Sequence, residues 1–166
     1  MTKERTLAGL TKSRQALSQA IEGLSTEEMT QVQVEGVWTI KDVVGHITAW
    51  EEVLLEPLRR YADGSPFETA VIEDYLAWND EQAARKRDVP LDGILDEASA
   101  IRQALVATAN RLSAEQWEQE LLFPWGSTGT VAQALRGLKE HEMEHVRAIQ
   151  QWRGKVTGRW GDQVTR

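Results

Sequence analysis

The feature that most constrains this chain is the recurrence of apolar residues at three- and four-residue steps over long stretches, with no convincing apolar–polar alternation. That spacing follows the turn of an α-helix, so the chain must bury helical stripes against one another rather than pair strands. Leu7, Leu10, Leu17, Ile21 and Leu24 mark a first helix over about Lys3 to Leu24, with Arg14 the one polar residue on its stripe. A second helix opens at Thr39, an N-cap with Asp42 three residues on, and turns Val43, Ile47, Trp50, Leu54 and Leu58 inward. Pro57 should bend its last turn.

A turn at residues 62–66 (ADGSP) closes this half. A third helix is predicted over Ala70 to Arg87, with Ile72, Tyr75, Leu76, Asn79 and Ala83 facing inward, and it breaks before Pro90. The fourth, Leu91 to Leu112, carries Ile94, Ala98, Ile101, Leu105 and Leu112. The last, Thr130 to Trp152, aligns Val131, Ala134, Leu138, His141, His145, Ala148 and Trp152 on one stripe. Ser113-Ala-Glu-Gln-Trp117 echoes Ser25-Thr-Glu-Glu-Met29, and each is followed by a loop with a tryptophan (Trp38, Trp125) and a helix opened by a threonine (Thr39, Thr130). This weak repeat predicts an all-α fold, a four-helix bundle whose halves are joined by a long crossover carrying an extra helix. Residues 1–153 form the domain and 154–166 a loose tail.

Charge and composition narrow the partners. The chain has 19 Lys and Arg against 26 Asp and Glu, a formal charge of −7, and its densest basic run is only residues 84–88 (ARKRD). That balance predicts no nucleic acid partner. There are no cysteines, which suits a reducing cytoplasm and leaves no thiolate ligand or nucleophile. No segment approaches the roughly 20 apolar residues of a membrane span, and residues 1–10 lack a leader's apolar core, so a cytoplasmic protein without a membrane partner is expected.

The chain's three histidines all fall on inward positions of two bundle helices: His46 on the second, His141 and His145 on the last. His141-Glu-Met-Glu-His145 fits the H-E-x-x-H of zinc proteases, but beyond it Asp162 is the only carboxylate side chain and no edge strand is predicted to hold a peptide. Glu142-x-x-His145 fits half of a di-iron ligand set, but Val43 and Leu138 stand where the other histidines would need glutamates. Residues four apart share a helix face, and buried imidazoles need partners, so a three-nitrogen metal site is the preferred reading over three satisfied core histidines. Glu142 lies roughly 100° around the helix from His141, which favours an exposed or backing role over that of general base.

Residues 37–52 (VWTIKDVVGHITAWEE) and 129–153 (GTVAQALRGLKEHEMEHVRAIQQWR) resemble the two signatures of the DinB-like four-helix-bundle superfamily. The resemblance covers most of the chain in element order. It implies an up-down-down-up bundle with a divalent ion on His46, His141 and His145. Residues 73–97 also resemble, more weakly, a branch of self-protection factors against the genotoxin colibactin, whose members need not use the metal trio.

Metal-binding members of the superfamily include transferases and isomerases that use a low-molecular-weight thiol. The resemblance therefore implies metal-assisted chemistry on a small-molecule substrate, by a transferase or hydrolase, with sequestration of a reactive metabolite as the competing function and a purely structural bundle as a third. Three imidazoles suit zinc or nickel, and also iron or copper. Asn79 and Tyr75 are candidate hydrogen-bond donors near the ion, or ordinary inward polar residues. Trp50, Trp78 and Trp125 are candidate pocket walls, or simply core. A homodimer is expected from the habits of such bundles.

Overall fold

The computed structural model describes residues 2–161, with side chains up to residue 156. In chain order they form α1 (Lys3–Ile21), α2 (Thr26–Gln31), β1 (Gln33–Glu35), β2 (Trp38–Thr39), α3 (Ile40–Ala62), α4 (Tyr75–Lys86), α5 (Leu91–Arg111), α6 (Ala114–Glu118), β3 (Leu121–Leu122), β4 (Thr128–Gly129) and α7 (Val131–Gly161). The four long helices are α1, α3, α5 and α7. α7 runs past residue 154, where a loose tail is expected; residues 162–166 of that tail lie outside the described residues.

Local chemistry explains where the helices begin. Ser25, Thr39 and Ser113 each close a reciprocal capping box, with Glu28, Asp42 and Gln116 respectively. In each box the cap side chain accepts from a helix N–H and the third helical residue accepts from the cap N–H, so two orphan donors are satisfied at once. Pro57 lies within α3 without ending it.

Side-chain contacts give the directions. Lys41 Nζ donates to the Arg87 carbonyl near the start of both α3 and α5, and Arg111 pairs with Asp63 at the end of both, so these helices run parallel. α1 and α7 are also parallel, since Ser13 meets Glu142 and the Arg153 guanidinium reaches the Ala20 carbonyl. α1 and α5 are antiparallel, with Arg14 on the Ala98 carbonyl and Arg102 on the Leu10 carbonyl. The result is an up-down-down-up bundle, and residues 63–90 are the crossover that two parallel neighbours require.

The core falls into two apolar clusters. One holds Leu10, Leu54, Leu58, Leu105 and Leu135; the other holds Leu17, Val43, Ile47, Ile94, Val146 and Ile149. Between them lies a charged layer with one residue from each long helix: Arg14, Glu51, Arg102 and Glu142. Arg102 donates to both carboxylates, Arg14 bridges them from the other side, and the Ser13 hydroxyl donates to Glu142. Two cations and two anions cancel, and every polar atom buried among the described side chains has a partner.

Two corrections concern local structure. β1 pairs antiparallel with β2, and β3 with β4, where the sequence predicts no strand. Pairs two or three residues long are too short to show a period. The third predicted helix begins at Tyr75, and α4 has no buried residue; Tyr75 and Leu76 are 58% and 63% exposed. An element packed chiefly on α3, outside the bundle, has only a narrow face to cover.

Candidate metal centre

The β1–β2 hairpin and the helices α3 and α7 build the site. His46 projects from the second turn of α3, and His141 and His145 project one turn apart from α7. His46 Nε2 lies 2.9 Å from His141 Nε2, which lies 3.0 Å from His145 Nε2. The imidazole planes meet nearly edge to face, at 74–82°, and the indole of Trp38 lies 4.5 Å from the His46 ring.

Three nitrogens meeting this way fit a cation better than one another. An imidazole nitrogen carries either one proton or one lone pair, so His141 Nε2 cannot serve both neighbours fully by hydrogen bonding. The ligand nitrogens all lie within 4.8 Å of one another. An ion with bonds of about 2.0–2.1 Å spans nitrogens up to roughly 4 Å apart, which takes in the two close pairs and asks the third separation to close slightly. Burial, followed by the neighbouring histidines, lowers the pKa of His46 to about 3. Burial and then His145 lower that of His141 to about 4, against a smaller opposing effect of Glu142. Both rings are therefore neutral at pH 7, with the lone pair a metal needs.

Glu35 completes the arrangement, and sequence reasoning missed it. Its Oε2 accepts a hydrogen bond from His145 Nδ1 at 2.7 Å. A carboxylate can only accept there, so Nδ1 carries a proton and Nε2 is the nitrogen turned toward the other rings. Gly36, at φ +58°, makes the turn after Glu35 that lets β1 fold back on β2. A glutamate in a polar connection, 110 residues before its partner, carries no sequence signal.

The other candidates divide. Asn79 and Tyr75 line a cavity of about 490 Å³ that opens beside His46 and His141, together with Trp50, Phe123, Trp125, Gln133 and Leu138. Asn79 Oδ1 accepts from Trp50 Nε1 at 3.0 Å, and Trp78 packs on Trp50 with ring centroids 4.4 Å apart. Tyr75 sits at the rim, not on a buried stripe. Glu142 is neither exposed nor beside the histidine nitrogens: it is fully buried in the charged layer. Burial would raise its pKa, but Arg102, Arg14 and the Ser13 hydroxyl outweigh that and hold it below the usual carboxylate range. It cannot act as the general base of a protease template.

An up-down-down-up bundle with three converging imidazoles defines a helical protein with a candidate metal site at one end of an apolar cavity. The chain belongs to the DinB superfamily, whose family profile matches residues 10–149. No curated protein matches it. Among solved structures it is similar to YfiT from Bacillus subtilis, described as a probable metal-dependent hydrolase with an unusual four-helix bundle topology. That match has 19% identity and a TM-score of 0.71, and covers 93% of this chain and 87% of that one.

It is also similar to a mycothiol-dependent maleylpyruvate isomerase, at 15% identity and a TM-score of 0.75 over 90% of this chain. The match covers only 61% of the isomerase. A third similar structure is the colibactin self-resistance protein ClbS in complex with double-stranded DNA, at 13% identity and a TM-score of 0.75, covering 91% of this chain and 94% of that one. The ClbS complex overturns the expectation of no nucleic acid partner: a bundle of this fold takes a DNA partner, so an acidic balance does not exclude one. Among the described residues, no helix is long and apolar enough to cross a membrane.

Proposed function

We propose that His46, His141 and His145 hold a divalent ion, zinc or nickel ahead of iron or copper, and that the protein acts with it on a small molecule in the adjoining cavity. The reaction is that of a transferase drawing on a low-molecular-weight thiol, or of a hydrolase. The observation that carries this reading is the convergence of three imidazole nitrogens beside an apolar cavity. Similarity to a mycothiol-dependent isomerase and to a probable metal-dependent hydrolase supports it.

When bound, such an ion supplies Lewis acidity, bringing the pKa of a water or thiol ligand toward neutrality. The chain's own residues do the rest. Glu35 holds the His145 tautomer, and Trp38 packs beside His46. Trp50, Phe123 and Trp125 wall the cavity with apolar surface, and Asn79 presents an amide to it.

A second reading, sequestration of a reactive metabolite, is favoured by one observation: among the described residues no Asp, Glu, Lys or Arg lines the cavity, so proton transfer there would fall to the histidines or the metal's own ligand. Elemental analysis of untagged protein, with His46→Ala as control, tests the metal. About one divalent ion per chain, lost in the variant, supports the first reading; none after loading with zinc or nickel sinks it. Turnover against stoichiometric consumption of a trapped compound then separates enzyme from sequestration. A cytoplasmic location and a homodimer belong to the same proposal, the latter tested by sedimentation.

A further inference from the structure

The cavity beside the histidines carries a chemical specification of its own. Its volume of about 490 Å³ suits a small organic molecule. Trp50, Phe123 and Trp125 give it flat apolar walls; Phe123 and Trp125 stack at 17° and Trp78 backs Trp50. Among the described residues no charged side chain lines it, so an anionic group away from the histidines would lose its hydration without a cation to meet it.

The two carboxamides that line the cavity are both committed at their oxygens. Asn79 Oδ1 accepts from the Trp50 indole N–H, and Gln133 Oε1 accepts from the Thr130 backbone N–H at 2.8 Å. Both partners can only donate, so the orientation of each amide is determined, and each NH₂ is left without a protein acceptor among the described residues. Gly129 is part of this arrangement, because a Cβ there would lie 2.6 Å from Gln133 Oε1. The cavity thus offers fixed donors and aromatic faces, and no fixed charge.

We infer that the cavity selects an aromatic compound bearing carbonyl oxygens and no charge away from the histidines, with Asn79 and Gln133 donating to those oxygens and the ring system lying against Trp50 and Trp125. This rests on the small-molecule reading above and narrows its substrate class. Asn79 and Gln133 are the specificity-determining residues.

Three probes of one shape test it by equilibrium dialysis: 2-acetylnaphthalene, 2-naphthalenesulfonate and 2-ethylnaphthalene, against the protein as purified and against His46→Ala. The ketone should bind about tenfold more tightly than either the sulfonate, a poor metal ligand, or the hydrocarbon, the worth of one satisfied hydrogen bond. Asn79→Asp and, at the exposed rim, Gln133→Glu each exchange an NH₂ donor for an acceptor and should reduce or abolish the ketone's advantage over the hydrocarbon. Sulfonate binding as tight as the ketone's overturns the inference. So do equal affinities for ketone and hydrocarbon, absence of saturable ketone binding, or indifference to both substitutions. The same preference in His46→Ala would support the inference whatever the fate of the metal reading, since that variant lacks one of the three nitrogens.

Discussion

The Glu35 carboxylate accepts a 2.7 Å hydrogen bond from His145 Nδ1, tying the short hairpin before α3 to the last helix of the bundle. Outer-shell carboxylates of this kind orient a ligand imidazole and raise its basicity. Glu35→Gln should weaken zinc binding by about 10- to 100-fold, measured by competition with a chromophoric chelator, while leaving the helical circular dichroism unchanged. Unchanged affinity would mean that His145 needs no help in choosing its tautomer.

The depressed histidines make the metal-free protein acid-sensitive in a defined window. His46 and His141, at about 3 and about 4 in the folded state, take up protons near 6.5 once unfolded. Between those values the unfolded chain binds more protons, so stability rises with pH. Their contribution is fully present above about pH 6.5 and is lost as pH falls toward 4 and then 3. Glu142 has the same sign below its ordinary value of 4.5, because its folded pKa is lowered. Denaturant midpoints of the metal-free protein should therefore fall steadily from pH 7 to pH 4, and His46→Ala should flatten part of that slope.

The charged layer predicts large and non-additive losses. Arg102 is 4% exposed and donates to both Glu51 and Glu142, so Arg102→Ala leaves two buried carboxylates with Arg14 as their one cation, and only Glu142 keeps a further donor, the Ser13 hydroxyl. Breaking a buried pair from one side costs about 3–5 kcal/mol. Urea unfolding should show a loss of that order. Arg102→Ala combined with Glu142→Gln should cost less than the sum of the two, by about 0.5–3 kcal/mol. Strict additivity would show that the layer does not act as a unit.

Thr39 is a smaller test of how the site is held. Its side chain caps α3 seven residues before His46, accepting from Asp42 N while Asp42 accepts from the Thr39 N–H. Thr39→Ala should cost about 0.5–2 kcal/mol in thermal or denaturant unfolding. A change below that range would mean water replaces the cap at no cost.

The histidine trio was legible because both its residue type and its position carry information. An imidazole on an apolar stripe asks for a partner, and His46, His141 and His145 all met that condition on helices whose phases the leucines and valines define. Asn79 was legible for the same reason, as an inward polar residue. Arg14 stood out as the one polar residue on its stripe, but nothing in the one-dimensional pattern paired it with Glu51 and Glu142. Tyr75 and Leu76 misled because an apolar spacing gives the direction of a face without saying whether another element covers it.

By itself the sequence determined the four long helices, the caps at Ser25 and Thr39, the two-halved order of elements and the residues that could ligate, since these follow from local period, capping chemistry and side-chain type. Only the tertiary structure decided which distant groups meet. It placed Glu35 on His145, turned Glu142 into the bundle centre against Arg102, and set Asn79 and Gln133 on the cavity wall with their amide oxygens already committed. The physical reason is that hydrogen bonding and charge pairing act over about 3 Å in space regardless of separation along the chain, whereas the helical pattern is set by neighbours three and four residues apart.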